Sequence, residues 1–250
     1  MSMLGSDEGA SWARRVLGSW LQLSSEGKRV REANHRLVSG LEPDSLLDVG
    51  CGDGSWGIEC VRRLKIPPEN IYGIEVRSAL IEEAVGRIKV FEIDLEKDPI
   101  PLGDQSVQLA NVNQVLEHLK NIFFCLAEME RVLKVGGHLS IGIPNLGGLV
   151  NRLYLLMGRQ PMCHEFPGPH VRAMTHRAFT AFVRSNPAFE LVRCQGSSLY
   201  PFPPPFLEAG AERFPGWSAY AFYLLKKVEH RPRSAWLDDA AKIGATTFRI

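Results

Sequence analysis

The sequence has no excess of charge of either sign. Its 29 Lys and Arg against 28 Asp and Glu leave a net charge of +1. That removes the broad electrostatic case for nucleic acid or an anionic membrane as partner. No apolar run approaches the roughly 18 residues that cross a bilayer. Residues 1–10 are small and polar and lack the apolar centre of a leader peptide. Cysteine is scarce: Cys51, Cys60, Cys125, Cys163 and Cys194 form no C-x-x-C pair and no even framework, which argues against a disulfide scaffold or a zinc ribbon. The expectation is a cytoplasmic protein with reduced thiols. No internal repeat is visible. What remains is 250 residues with 45% apolar content, enough for one large α/β core.

What is present is organised around Leu46-Leu47-Asp48-Val49-Gly50-Cys51-Gly52-Asp53-Gly54. Apolar positions lead into three alternating glycines, and a helical pattern follows from Ser55. The reading is strand, tight turn, helix N-terminus. Such a turn lets a ligand approach the backbone, and the free N–H groups of the helix start favour electronegative ligand atoms.

Ahead of this turn, residues 12–23 and 25–41 read as two amphipathic helices, the second carrying Lys28, Arg29, Arg31 and Arg36. Their basic face is either solvated or laid over the ligand mouth. After the turn, strands and helices alternate. Strands are expected at 45–49, 70–75, 88–93, 106–111 and 138–143, with helices at 55–64, 78–85 and 123–133 between them. Alternation at this spacing predicts a parallel sheet with right-handed crossovers. Residues 146–174 break the rhythm with a short apolar helix and a loop rich in Pro, Gly and His, too long for an ordinary connection, and are expected to form a lid. A helix over 175–184, a strand over 188–194, an irregular proline-rich stretch over 200–215, a last strand over 219–228 and a loose tail complete the chain. The domains expected are 1–41 as a covering segment, 42–228 as the main domain with its lid insert, and 229–250 as the tail.

Polar residues fall at three successive strand ends. Glu75 closes the second strand, Asp94-Leu95 the third, and Asn111-Val112-Asn113-Gln114 the fourth. In a doubly wound sheet these ends share one rim, so Glu75 meets a ribose and the others meet the rest of one elongated ligand. Gly52-Asp53-Gly54-Ser55-Trp56-Gly57 also fits G-x-G-x-x-G, which keeps a dinucleotide, and with it a nicotinamide oxidoreductase, open on the residues alone.

Taken together, Asp48-x-Gly50-x-Gly52-x-Gly54, Glu75, Asp94-Leu95, residues 112–119 (Val-Asn-Gln-Val-Leu-Glu-His-Leu) and residues 131–137 (Arg-Val-Leu-Lys-Val-Gly-Gly) resemble the ordered motifs of class I S-adenosylmethionine-dependent methyltransferases. The resemblance covers residues 46–145. It departs at Gln108, where the family usually has Asp, and at Val135, where it has Pro. It implies a three-layer α/β sandwich with a doubly wound, seven-stranded, mostly parallel sheet, the last strand antiparallel beside the fifth. It implies S-adenosylmethionine as cofactor, held by Asp48, Gly50, Cys51, Gly52, Gly54, Trp56, Glu75, Val76, Asp94, Leu95, Asn113 and Gln114. Beyond residue 145 the likeness is to bacterial enzymes acting on small molecules, glycans or lipid precursors.

Methyl transfer to a hydroxyl oxygen needs a base, and His118 after the fourth strand and His170 in the lid are the candidates. A packing role for each is the alternative, as are nitrogen or carboxylate acceptors that need no base, and a binding module without turnover. His164, Glu165, His170 and His176 do not have the spacing that sets ligands on one helical turn, so no metal is expected. Trp56, Phe166, Phe202 and Phe206 are candidates for lining an acceptor pocket. The expected partners are a small-molecule or glycan/lipid-precursor acceptor, with no nucleic acid and no transmembrane segment, in a monomer or homodimer.

Overall fold

A computed structural model describes residues 26–202 and 206–244. The helix expected over 12–23 lies outside the described residues. Seven strands form one sheet in the order β3-β2-β1-β4-β5-β7-β6. These are β1 (Leu46–Val49), β2 (Ile71–Ile74), β3 (Lys89–Phe91), β4 (Val107–Asn113), β5 (Leu133–Pro144), β6 (Phe189–Ser197) and β7 (Tyr220–Lys227). β1 to β5 run parallel, and β7 is antiparallel to both β5 and β6. The order reverses at β1, whose neighbours are β2 and β4, so the carboxyl ends there open a crevice.

Each buried strand sends alternate residues to opposite faces. Leu46, Leu109, Phe222 and Leu224 meet α1 (Glu26–Val38) and α2 (Ser55–Leu64) on one face. Leu47, Ala110, Leu139 and Leu225 meet α4 (Ile122–Val132), α6 (His176–Ser185) and α8 (Ala235–Gly244) on the other. The result is the three-layer sandwich expected from the sequence. The remaining helices are α3 (Ser78–Val85), α5 (Leu149–Leu156) and α7 (Phe206–Arg213). Capping signals worked locally: Asn121 accepts from Phe124 N at 3.2 Å, and Thr175 accepts from Ala178 N at 3.3 Å, each satisfying a free N–H of the helix start.

Three expectations change. β5 begins at Leu133, directly after α4, because Leu133 pairs with Val107 before the register shifts to Leu109–His138. The proline-rich stretch contains a helix, α7, whose Leu207 and Ala211 are buried. Residues 229–250 are not simply a loose tail, since α8 packs on the face of the sheet that carries α4 and buries Trp236. Among the described residues no helix is long and apolar enough to cross a membrane.

Candidate active site

The turn after β1 holds Gly50, Gly52 and Gly54 at φ of 69°, 57° and 75°. Side chains are disfavoured there, which is why glycine stands at all three. The N–H groups of Gly50 and Cys51 donate to Ile74 O at 2.8 and 3.0 Å, pinning the turn to the end of β2. The Gly52 N–H donates to Glu75 Oε2 at 3.1 Å. The Cys51 side chain is turned away from the crevice, since a Cβ on Gly73 would sit 2.6 Å from its sulfur. Cys51 nonetheless lines the cavity over the turn. A cavity of about 220 Å³ opens over the turn, lined by Asp48, Gly50, Gly52, Trp56, Asn111 and Asn113 below and by Gly27, Val30 and Arg31 of α1 above. Thus α1 lies over the mouth. Of its basic side chains, Arg31 pairs with Glu59 at 3.6 Å and Arg36 with Glu212 at 2.8 Å, and these side chains remain partly exposed.

Asp48 sits under this cavity, 3% exposed. Ser140 Oγ donates to Asn34 Oδ1 at 2.8 Å, Asn34 Nδ2 to Asn111 Oδ1 at 2.8 Å, and Asn111 Nδ2 to Asp48 Oδ1 at 2.7 Å. This chain joins β5, α1, β4 and β1, so the covering helix is registered on the strand ends by polar contacts as well as packing. Burial pushes the Asp48 carboxyl up to about 7, against the Asn111 hydrogen bond and the more distant Arg31, which pull it down. A cation placed in the cavity would restore its charge. Trp56 stacks on His35 at 5.2 Å, and its Nε1 is buried without a partner among the described residues, as are Asn113 Oδ1 and Gln114 Nε2.

A second cavity of about 480 Å³ begins at Gly50 and runs past Glu75, Val76, Asp94 and Leu95 to Gln114 and His118. Glu75 is 4% exposed and accepts from Val76 N, Arg77 N and Arg77 Nε at 3.0, 3.1 and 3.1 Å. Burial raises its pKa, but the Arg77 side chain and these N–H groups outweigh it and hold the carboxyl below the usual range. It is therefore an ionised acceptor at neutral pH. Val76 lines this cavity, its N–H held by Glu75 and its side chain exposed. Asp94 caps its own turn, accepting from Glu96 N at 3.0 Å and pairing with Lys97 at 3.1 Å. Leu95 is buried beside it.

Gln114 and His118 also line a third cavity of about 260 Å³. Its other walls are Glu117, Leu149, Val150, Asn151, Met162, Cys163 and His170, with Ser198, Tyr200, Trp217 and Tyr220 opposite. The segment 146–174 therefore supplies much of one wall. His118 Nδ1 lies 3.2 Å from Pro169 O, His170 Nδ1 lies 2.7 Å from Cys163 O, and the two rings meet edge to face at 4.7 Å. Burial holds the His118 ring below the usual histidine range. Burial also pushes the Cys163 thiol up to about 11, so it stays protonated. The sequence-expected histidines are brought together from two distant segments. The residue missed was Glu117, 1% exposed and pushed up to about 7 by burial. Its only sequence signal was its place beside His118.

Other expectations do not meet here. His176 turns to the opposite face, 2.9 Å from Tyr223 OH. Phe166 is 90% exposed and Phe206 67% exposed, and Phe202 is also exposed. Tyr200, Trp217 and Tyr220 form the aromatic wall instead, because the chain reaches the chamber through β7 and the end of β6. Of the apolar residues of the short helix, Leu149 and Val150 face the chamber, while Leu153, Leu156 and Met157 face outward.

Residues 47–141 match a family model described as a methyltransferase domain. An uncharacterized protein encoded in a transposon of Streptomyces fradiae is 32% identical over 110 residues, 42% of this chain and 32% of that protein. The 27-O-demethylrifamycin SV methyltransferase of Amycolatopsis mediterranei is 26% identical over 150 residues, 53% of each chain. The chain thus spans about a third to a half of the curated relatives it matches. Among solved structures, a Thermotoga maritima S-adenosylmethionine-dependent methyltransferase, described as a possible histamine N-methyltransferase, superposes with a TM-score of 0.59. It shares 20% identity, covering 86% of this chain and 98% of the other.

Proposed function

We propose that the chain, which matches a methyltransferase-domain model over residues 47–141, is a class I S-adenosylmethionine-dependent methyltransferase and methylates a hydroxyl oxygen of a small molecule or of a glycan or lipid precursor. The observation that carries the reading is the continuity of the three cavities. Gly50 joins the first to the second, and Gln114 and His118 join the second to the third. A cofactor laid across the crest of the sheet would end at the chamber.

The residues fit S-adenosylmethionine. Asp48 offers a buried carboxylate to its ammonium group, Glu75 an ionised acceptor to the ribose hydroxyls, and Gly52 a stretch of bare backbone. Trp56 Nε1, Asn113 Oδ1 and Gln114 Nε2 are buried polar atoms whose partners a ligand would complete. When bound, the cofactor would supply an electrophilic methyl carbon for the acceptor oxygen and a sulfur able to keep the electron pair of the broken bond. The chain's part is to orient the acceptor, exclude water and take charge of the hydroxyl proton, which leaves at the Glu117–His118–His170 end. The apolar wall of Leu149, Val150 and Trp217 suits an acceptor with an apolar body.

Ionised Asp48 is the form that attracts the ammonium. In the free protein it takes up a proton as the pH falls through about 7. Cofactor affinity is therefore expected to rise from about pH 6 to about pH 8, by at most about tenfold per pH unit below the pKa. Calorimetric titration across that range checks it, and Asp48→Asn should flatten the profile. A wild-type profile already flat would separate Asp48 from the ammonium.

The segment 146–174 is assigned to the acceptor. Replacing residues 147–174 by a short Gly/Ser linker should leave cofactor affinity within about tenfold, about 1.4 kcal/mol, while methyl transfer is lost. None of the seven strands lies within residues 147–174, and β5 ends at Pro144, so the excision leaves the sheet intact. The test of the function itself is mass spectrometry of candidate acceptors for the gain of one methylene. Incubation with labelled S-adenosylmethionine that yields no labelled product from hydroxyl acceptors, but label on amines or carboxylates, would replace the oxygen reading.

A further inference from the structure

Three side chains meet at the inner end of the chamber. Glu117 and His118 come from the turn Leu116–His118 after β4, and His170 comes from the loop after α5. One potential ligand atom from each lies within 4.8 Å of the others. Their relative position is set by main chain. Val171 N and Arg172 N both donate to Glu117 O, at 2.8 and 3.1 Å, and Arg172 Nε donates to Leu119 O at 3.0 Å.

The hydrogen bonds behind the rings fix what each ring can offer. Pro169 O and Cys163 O are carbonyl oxygens and can only accept. His118 Nδ1 and His170 Nδ1 must therefore carry the protons, which leaves a lone pair on each Nε2. A backbone carbonyl behind an imidazole is the usual support of a metal-binding histidine, since it fixes the tautomer and the ring orientation. Glu117 adds the third donor. It is 1% exposed, and neither carboxylate oxygen has a hydrogen-bond partner among the described residues. A buried carboxyl without donors is costly, and no side chain in the described residues meets that cost.

We propose that Glu117, His118 and His170 bind one divalent transition cation of the zinc class, with an open coordination position facing the chamber. Two imidazoles and a carboxylate suit such an ion far better than calcium or magnesium, which take all-oxygen sets. The inference rests on the chamber being the acceptor site. With their Nε2 atoms on the cation the two histidines would no longer serve as bases; a hydroxyl on the open position would instead lose its proton to solvent water at this end of the chamber more readily than in solution, because the cation stabilises the oxyanion left behind. Sequence spacing gave no hint of this set, since His164, His170 and His176 were weighed together there and His118 lies far from them in the chain.

The test is calorimetric titration of zinc chloride into the chelator-stripped full chain. One equivalent should bind, and Glu117→Gln and His170→Ala should each weaken it by about 100-fold or more. S-adenosylhomocysteine affinity and thermal melting of the same variants show that they are folded. Cobalt loading gives a second reading: a visible absorption band that His170→Ala abolishes. No stoichiometric zinc binding, or binding that both variants leave unchanged, overturns the proposal. Zinc is measured here without any methyl transfer, so the two readings fail separately. A protein that binds zinc at this trio yet methylates nothing keeps the site and loses the function. One that methylates hydroxyls at full rate and binds no zinc does the reverse.

Discussion

Gly52→Val is expected to give a folded protein that no longer binds S-adenosylmethionine. Gly52 has φ of 57°, and a Cβ built on it meets no protein atom within 4 Å. The side chain would point into the cavity over the turn. For the fold the cost is the left-handed backbone of a β-branched residue, of order 1–3 kcal/mol. For the ligand the cost is larger, because the two γ-methyls stand where the cofactor must approach the backbone. A loss of about 1,000-fold or more, about 4 kcal/mol, is expected. Calorimetric titration beside a thermal melt reads both terms. Gly50 offers the contrast: its φ is 69°, but a Cβ there would lie 2.5 Å from Val115 Cγ2. Gly50→Ala therefore strains the protein as well as the site. If Gly52→Val bound normally, the turn would serve only the local geometry of β1 and α2.

Trp236→Ala is expected to destabilise the chain by about 3–5 kcal/mol, the range for truncating a large buried aromatic. Trp236 is 0% exposed and packs against Phe182 and Phe189 with ring centroids at 4.7 and 6.3 Å. Ser234 Oγ donates to Glu130 Oε2 at 2.7 Å, and Asn186 Nδ2 donates to the same oxygen at 3.0 Å. That carboxylate joins α4, α8 and the end of α6. Trp236 Nε1 is buried without a partner among the described residues, which offsets part of the gain and favours the lower end of the range. A fall in melting temperature of roughly 10 °C follows for a domain of this size. A shift of about 2 °C or less would return the C-terminal segment to a loosely held tail.

The helix α8 shows where sequence reading stops. Residues 229–250 carry no strong periodic pattern, and one tryptophan among charged residues reads as exposed. Its burial depends on Phe182 and Phe189, which are neighbours only after α6 and β6 are in place. The proline-rich stretch before β7 is similar. Local punctuation argued for irregular chain, and contact with β6 decided for a helix at residues 206–213. The helices expected at 55–64 and 78–85, by contrast, are found at those bounds.

The candidate site divides along the same line. The sequence alone determined the glycine turn, the carboxylates of Asp48 and Glu75 and the polar ends of β3 and β4, and its resemblance to the class I methyltransferases pointed from these to the fold and to S-adenosylmethionine. Those groups follow from strand order and from backbone conformations that only certain residues adopt. Tertiary structure decided that α1 covers the mouth through Asn34 and Asn111, that Tyr200, Trp217 and Tyr220 wall the chamber, and that Glu117 comes together with His118 and His170. His118 meets Pro169 from 51 positions away. Contacts over that distance leave no period in the sequence, because each partner satisfies its own local geometry and only the packed chain brings them together.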